Sequence, residues 1–166
     1  MKPGMDDLLS PSGAEFSKCE LYRYVLWRNW ADGPRMAFIG LNPSTADHEK
    51  NDPTVFRCIQ RAKSLHCGGM FMLNIFAWRD TDPRKMKKSP EPIGKLNDQW
   101  IMDVCQRLAD VVVCCWGTHG AHLGRGKAVK AMLKSAGLDL RCLGVTKGGH
   151  PGHPLYVEYA RSLREF

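Results

Sequence analysis

Apolar and polar positions along the chain change period several times, and each change marks an element. Residues 19–28 carry Tyr22, Tyr24, Val25, Leu26 and Trp27, a β-rich stretch. After the turn Ala31-Asp32-Gly33-Pro34 a second short apolar run covers residues 36–39. The two are expected as strands, and as antiparallel neighbours across that loop. Asp52-Pro53 then reads as an N-cap followed by proline at the first helical position. Val55, Ile59, Ala62 and Leu65 recur at helical spacing until Gly68-Gly69. Residues 70–76, apolar except for Asn74, form a short run suited to a buried strand. A polar, proline-containing loop over 79–94 follows, then a helix near 97–108. A strand is expected over 111–116, a helix over 126–136 ending at Gly137, and a strand over 140–145. Pro154 is expected to start a terminal helix. Residues 1–17, rich in Gly, Pro, Ser and Asp, read as a flexible arm before a single domain over 18–166.

Strands alternating with helices predict an α/β domain. We expect three layers, α/β/α, with a mainly parallel central sheet and an added N-terminal antiparallel strand. At 166 residues, 43% hydrophobic and 25% charged, the chain is sized for one core. No apolar run approaches the ~20 residues that span a bilayer. The N-terminal twelve residues lack a secretory core and include Asp6 and Asp7, so a cytoplasmic location and no membrane partner are expected. Seven cysteines, an odd count without C-x-x-C spacing, lie mostly in apolar runs. They are expected to be buried reduced thiols. The net charge of +7, from 24 basic and 17 acidic residues, favours a polyanionic partner.

In parallel sheets, ligands bind beyond the carboxyl ends of the strands. Here those segments are Asn42-Pro43-Ser44-Thr45-Ala46-Asp47, residues 74–79, Gly117-Thr118-His119-Gly120 and residues 146–153, which hold most of the unusual polar residues. Gly40-Leu41-Asn42-Pro43, Leu73-Asn74, Trp116-Gly117-Thr118-His119 and His150-Pro151-Gly152-His153-Pro154-Leu155 follow in the order of motifs in the uracil-DNA glycosylase superfamily, which the chain resembles. With Asn51-Asp52-Pro53-Thr54 and His153-Pro154-Leu155-Tyr156 added, most of residues 20–160 is similar to the DUF1643 family of bacteria and phages. Asn42 stands where the common uracil enzymes carry aspartate. His153 fits the DUF1643 pattern directly, whereas His150 fits only with one inserted position.

The resemblance implies a uracil-DNA glycosylase-like fold and a DNA glycosylase that flips a base, hydrolyses its N-glycosidic bond and leaves an abasic site. It implies a non-standard base as substrate; hypermodified cytosine in phage DNA, and thus antiviral defence, would fit. The partner would be DNA, double-stranded, and the enzyme a monomer with no cofactor and no metal. Such chemistry needs a held water and a donor at the departing base. Asn42 is the candidate for orienting the water, Asp47 for base or cation stabiliser, and His153, with His150 as the alternative, for donation to the base. Asn74 would read the base edge, with Phe76 and Trp78 stacking on it. Ser44, Arg79, Lys147 and His150 are candidates for phosphate contacts, as are Arg57 and Lys127, and Leu155 for a wedge.

The same residues also have plain structural readings. Asn42-Pro43 can be only a turn, Asp47 only a local cap, and Phe76 and Trp78 core. A binding module without chemistry, or a hydrolase of free nucleotides, would share the same loops. Ala121-His122-Leu123-Gly124-Arg125-Gly126-Lys127-Ala128 lacks the first glycine and final Ser/Thr of a P-loop. His119 and His122, three apart, lack a third ligand by spacing.

Overall fold

The computed structural model describes residues 4–166. One seven-stranded sheet organises them: β1 (Ser12–Phe16), β2 (Arg23–Asn29), β3 (Arg35–Gly40), β4 (Gly69–Asn74), β5 (Val111–Cys114), β6 (Leu140–Cys142) and β7 (Arg164–Glu165). Their spatial order is β1-β2-β4-β3-β5-β6-β7. The inner four, β4-β3-β5-β6, are parallel, and β1, β2 and β7 add antiparallel edges. The helices are α1 (Pro53–Ser64), α2 (Pro83–Lys88), α3 (Asn97–Arg107) and α4 (Arg125–Ser135). Among the described residues no helix is long and apolar enough to cross a membrane.

Side chains alternate between two cores, which is why the inner strands are predominantly apolar. Met36, Phe38, Met70 and Met72 meet Val55, Cys58, Ile59 and Ala62 of α1. Ala37, Ile39, Phe71 and Leu73 meet Trp100, Ile101 and Val104 of α3 and Val129 and Leu133 of α4. The expected α1 start holds, since the Asp52 carboxylate accepts from Val55 N at 2.8 Å and Pro53 follows.

Three expectations are corrected. β2 and β3 are not neighbours, because β4 lies between them, parallel to β3 and antiparallel to β2. Both strands are apolar on two faces, so the wholly buried β4 can pair with each, and chain proximity did not decide. The stretch read as a flexible arm is built into the sheet from Ser12 on. Gly13 lies against the Trp27 indole so closely that a Cβ there would come within 2.1 Å of it, so the glycine permits packing rather than looseness. Leu8 is fully buried ahead of it; residues 1–3 of that stretch lie outside the described residues. The expected terminal helix is one 3-10 turn, Pro154–Tyr156, followed by a second turn at Tyr159-Ala160 and then β7. Arg57 bonds the carbonyls of Pro154 and Val157, and Arg61 those of Val157 and Glu158. Those carbonyls therefore take side-chain donors rather than helical amides. Arg57, a phosphate candidate by sequence, is thus a clamp.

Six cysteines are buried and all seven are free; only Cys19 is exposed. Burial pushes the Cys105 thiol up to about 12 and holds Cys58, Cys114 and Cys115 high as well. Titration with a thiol-reactive dye should therefore find one fast-reacting thiol in the folded chain, Cys19, with the other six reacting only in denaturant. Two or more fast thiols would contradict this packing.

Candidate functional site

In chain order the parallel core runs second, first, third, fourth, so connections leave β3 and β5 in opposite directions. That makes the carboxyl edge between β3 and β5 the topological switch point, where open α/β sheets form their ligand crevice. Two adjoining hollows lie there. The smaller, about 30 Å³, is lined by Arg23, Asn42, Ser44, Asp52, Asn74 and His153, among others. It has room for a water or two. The larger, about 500 Å³, is lined by Trp116, His119, His153, Tyr156, Arg161 and Arg164 and others. Leu41 and His153 line both.

Asn42 is held by its amide. Its Nδ2 donates to the carbonyls of Asp80 at 2.8 Å and Pro43 at 3.2 Å, which leaves Oδ1 as an acceptor. Asn74, 2% exposed, ends β4, and its Oδ1 accepts from Arg23 at 3.4 Å. Arg23 also donates to Ala46 O at 3.0 Å. Burial lowers the Arg23 guanidinium to about 10, partly offset by the charge of Asp52; it remains charged at neutral pH. His153 caps the Pro154–Tyr156 turn, its Nδ1 accepting from Leu155 N at 3.2 Å. In the neutral ring Nε2 then carries the proton and is a donor. Burial, opposed by the charge of Asp52 and reinforced by that of His119, holds His153 below the ordinary histidine value of 6.5.

The structure thus gathers Asn42, Ser44, Asn74 and His153, four of the residues chosen by sequence, around one pocket. It places the others elsewhere. Asp47 lines neither hollow. Its Oδ1 accepts from the amides of Glu49 and Lys50, which lower its pKa, so it is a local cap. Asp52 is the carboxylate that lines the small pocket. Phe76 is fully buried in the core and packs on His122. Trp78 packs edge-on against Tyr22 at 5.5 Å, away from both hollows. Arg79 donates to Glu20 O and lies over Phe16, tying β1 to the loop after β4. His150 lines a different cavity, of about 520 Å³, with Lys127, Lys130 and Phe166. Lys147 is exposed on the loop between β6 and that turn. Leu155 and Tyr156, the latter 84% exposed, stand at the rim beside His153. His119 contacts Lys87 and His122 contacts Phe76, so the two histidines do not converge. Among the described residues no group of three or more His, Cys, Asp or Glu is placed to hold a metal ion.

Arg23, Asp52, Trp116 and Tyr156 also line the site; the last three stand inside motifs noted in the sequence but were given no site role there, and Arg23 lies outside all of them. Asp52 had a signal, the Asn51-Asp52-Pro53-Thr54 pattern, but its capping role explained it fully. Arg23 had none, because an arginine in a strand ordinarily projects to solvent.

The family described as protein of unknown function (DUF1643) matches residues 23–155. The chain belongs to the DUF1643 family. Comparisons with curated proteins and with solved structures gave no match. Every residue lining the small pocket falls inside the DUF1643 region, whereas Arg161 and Arg164 of the larger hollow fall beyond it.

Proposed function

We propose that this chain is a DNA glycosylase of uracil-DNA glycosylase-like type, which hydrolyses the N-glycosidic bond of a non-standard base and leaves an abasic site. The carrying observation is the convergence of Asn42, Asn74 and His153 with one carboxylate, Asp52, at the switch-point edge. Bond cleavage builds positive charge on the sugar and negative charge on the base. Asp52 faces the first need and the Nε2–H of His153 the second. Asn42 Oδ1 accepts from the attacking water, which the small pocket has room to hold, and the proton that water sheds as its oxygen bonds the sugar passes to the Asp52 carboxylate. The base occupies the larger crevice, with its polar edge at the small pocket. That crevice is walled by exposed Tyr156, Glu158, Arg161 and Arg164, two guanidiniums against one carboxylate, rather than closed over. An open basic rim favours a nucleic-acid polymer over a free nucleotide. Modified cytosine in phage DNA, and with it a defensive role, is the substrate class we would try first.

The test separates the two aspartates. Purified protein is incubated with DNAs carrying uracil, hydroxymethylcytosine or its glucosylated form, and abasic sites and released bases are measured. Asp52→Asn keeps a capping oxygen for Val55 N but removes the charge, so it should fold normally and lose activity about a hundredfold. Asp47→Ala should lower the melting temperature measurably and leave the rate within about twofold. No base release from any modified DNA, where a control glycosylase works, would sink the reading. Salt-sensitive DNA binding without release would point to a binding module.

A further inference from the structure

The end of β4 is held by three buried side chains from three elements. Asn97 of α3 donates to the carbonyls of Asn74 at 2.8 Å and Ile75 at 3.2 Å. Arg125 of α4 donates to Ile75 O at 2.8 Å and pairs with Asp98. The backbone at Asn74 is thereby fixed, and the remaining freedom is which way its amide faces. Arg23 of β2 removes that freedom. A guanidinium only donates, so the amide atom turned to it at 3.4 Å must be Oδ1. A flipped amide would set N–H against N–H. Gly40 opposite completes the seat: a Cβ there would lie 3.1 Å from Asn74 Nδ2.

Arg23 is costly to keep for structure alone. It is 2% exposed, its Nε is buried with no partner, and it takes part in none of the ion pairs among the described residues. The charge of Asp52 offsets part of that cost without a direct ion pair, and a buried cation held only in this way destabilises unless something else requires it. Arg23 also lines the small pocket with Asn42, Asp52 and His153.

We propose that Arg23 is the positioning residue of this pocket: it locks the Asn74 amide with Nδ2 as the group offered, so the site selects ligands presenting a hydrogen-bond acceptor. This rests on reading the crevice as a base site. The substrate class follows, a base whose inserted edge bears a carbonyl oxygen or an unprotonated ring nitrogen. Asn74 then donates to that acceptor, and the nearby guanidinium favours the negative charge that gathers there as the base departs.

The experiment reads the amide first and the ligand second. In ¹⁵N-labelled full-length protein the Asn74 side-chain pair, assigned by its loss in Asn74→Asp, should be dispersed and slow to exchange with water. In Arg23→Met it should move toward free-amide positions and exchange at least about tenfold faster. Arg23→Lys, which keeps a buried cation, serves if the methionine variant does not fold, and should loosen the amide less. An Asn74 amide unchanged in a folded Arg23 variant overturns the lock. Uracil, with carbonyl acceptors, and aniline, whose amino group donates, are then titrated into each protein. Wild type should prefer uracil by about tenfold, roughly one hydrogen bond. That preference should fall toward parity in Arg23→Met and in Asn74→Asp, which keeps the fold through an Arg23–carboxylate pair but offers no donor. Equal preference in wild type overturns the selection. A locked amide that neither probe perturbs overturns the base-site reading while the lock itself stands.

Discussion

His153→Ala is expected to lower base release by roughly a hundred- to a thousandfold, the usual cost of a lost donor facing developing charge. His150→Ala is expected to stay within about twofold, because His150 lines a separate cavity. His153 does two things. Its Nδ1 accepts from Leu155 N and so caps the turn that carries Leu155 and Tyr156 at the rim. The same bond leaves Nε2–H for the substrate. Melting temperature separates the roles, since a lost cap lowers it and a lost donor does not. His153→Asn, which keeps a capping atom, should restore the stability and not the rate. The pH dependence has a definite sign. The folded pKa lies below 6.5, so the unfolded chain takes the proton first. This contribution to stability is complete above 6.5 and is lost as pH falls through that value toward the folded pKa. Protonation at Nδ1 also ends the bond from Leu155, so activity should decline over the same acid range. His153→Ala should lack that limb in a melting-temperature profile. A rate within about threefold of wild type, on a substrate that wild type cleaves, would remove His153 from the chemistry.

The parts that were legible in sequence are those decided locally. Asp52-Pro53 predicted the start of α1, because a cap acts within a few residues. The apolar runs predicted the buried inner strands for the same reason. The end of α1, by contrast, comes at Ser64, with His66 rather than Gly68-Gly69 in the left-handed turn. What escaped depends on partners far along the chain. Strand β4 separates β2 from β3, Gly13 fits β1 to Trp27, and Arg57 and Arg61 draw out the C-terminal carbonyls from about a hundred residues away. The site divides the same way. Asn42, Ser44, Asn74 and His153 were found because strand ends in a parallel sheet converge. Phe76 and Trp78 were misplaced because an aromatic at a strand end can turn to the core as readily as to the crevice. Asp47 and Asp52 are both turn-forming aspartates in one loop, and only three dimensions show which of them faces the pocket.

Trp116→Ala should be the most damaging single change to the fold near the site. Trp116 is 2% exposed and forms the wall shared by the ~500 Å³ crevice and the ~520 Å³ cavity beyond it. Phe166 packs on its ring at 5.6 Å. Glycines at 120 and 126 leave it room, since a Cβ at either would fall 2.2 or 2.7 Å from the indole. The surroundings are thus shaped to this one side chain and cannot collapse easily when it is removed. Loss of a large buried aromatic costs about 3–5 kcal/mol, a large share of the ~5–15 kcal/mol that holds a domain folded. For a chain of this size that corresponds to a fall of about 6–20 °C in melting temperature, read by circular dichroism. Gly120→Ala should err in the same direction by crowding the indole. A fall below about 3 °C for Trp116→Ala would mean that the wall is not held by this residue. A fall of the expected size, in a protein still folded at 20 °C, would join the two hollows. Base selectivity should then weaken along with stability, because the same indole bounds the space a base would occupy.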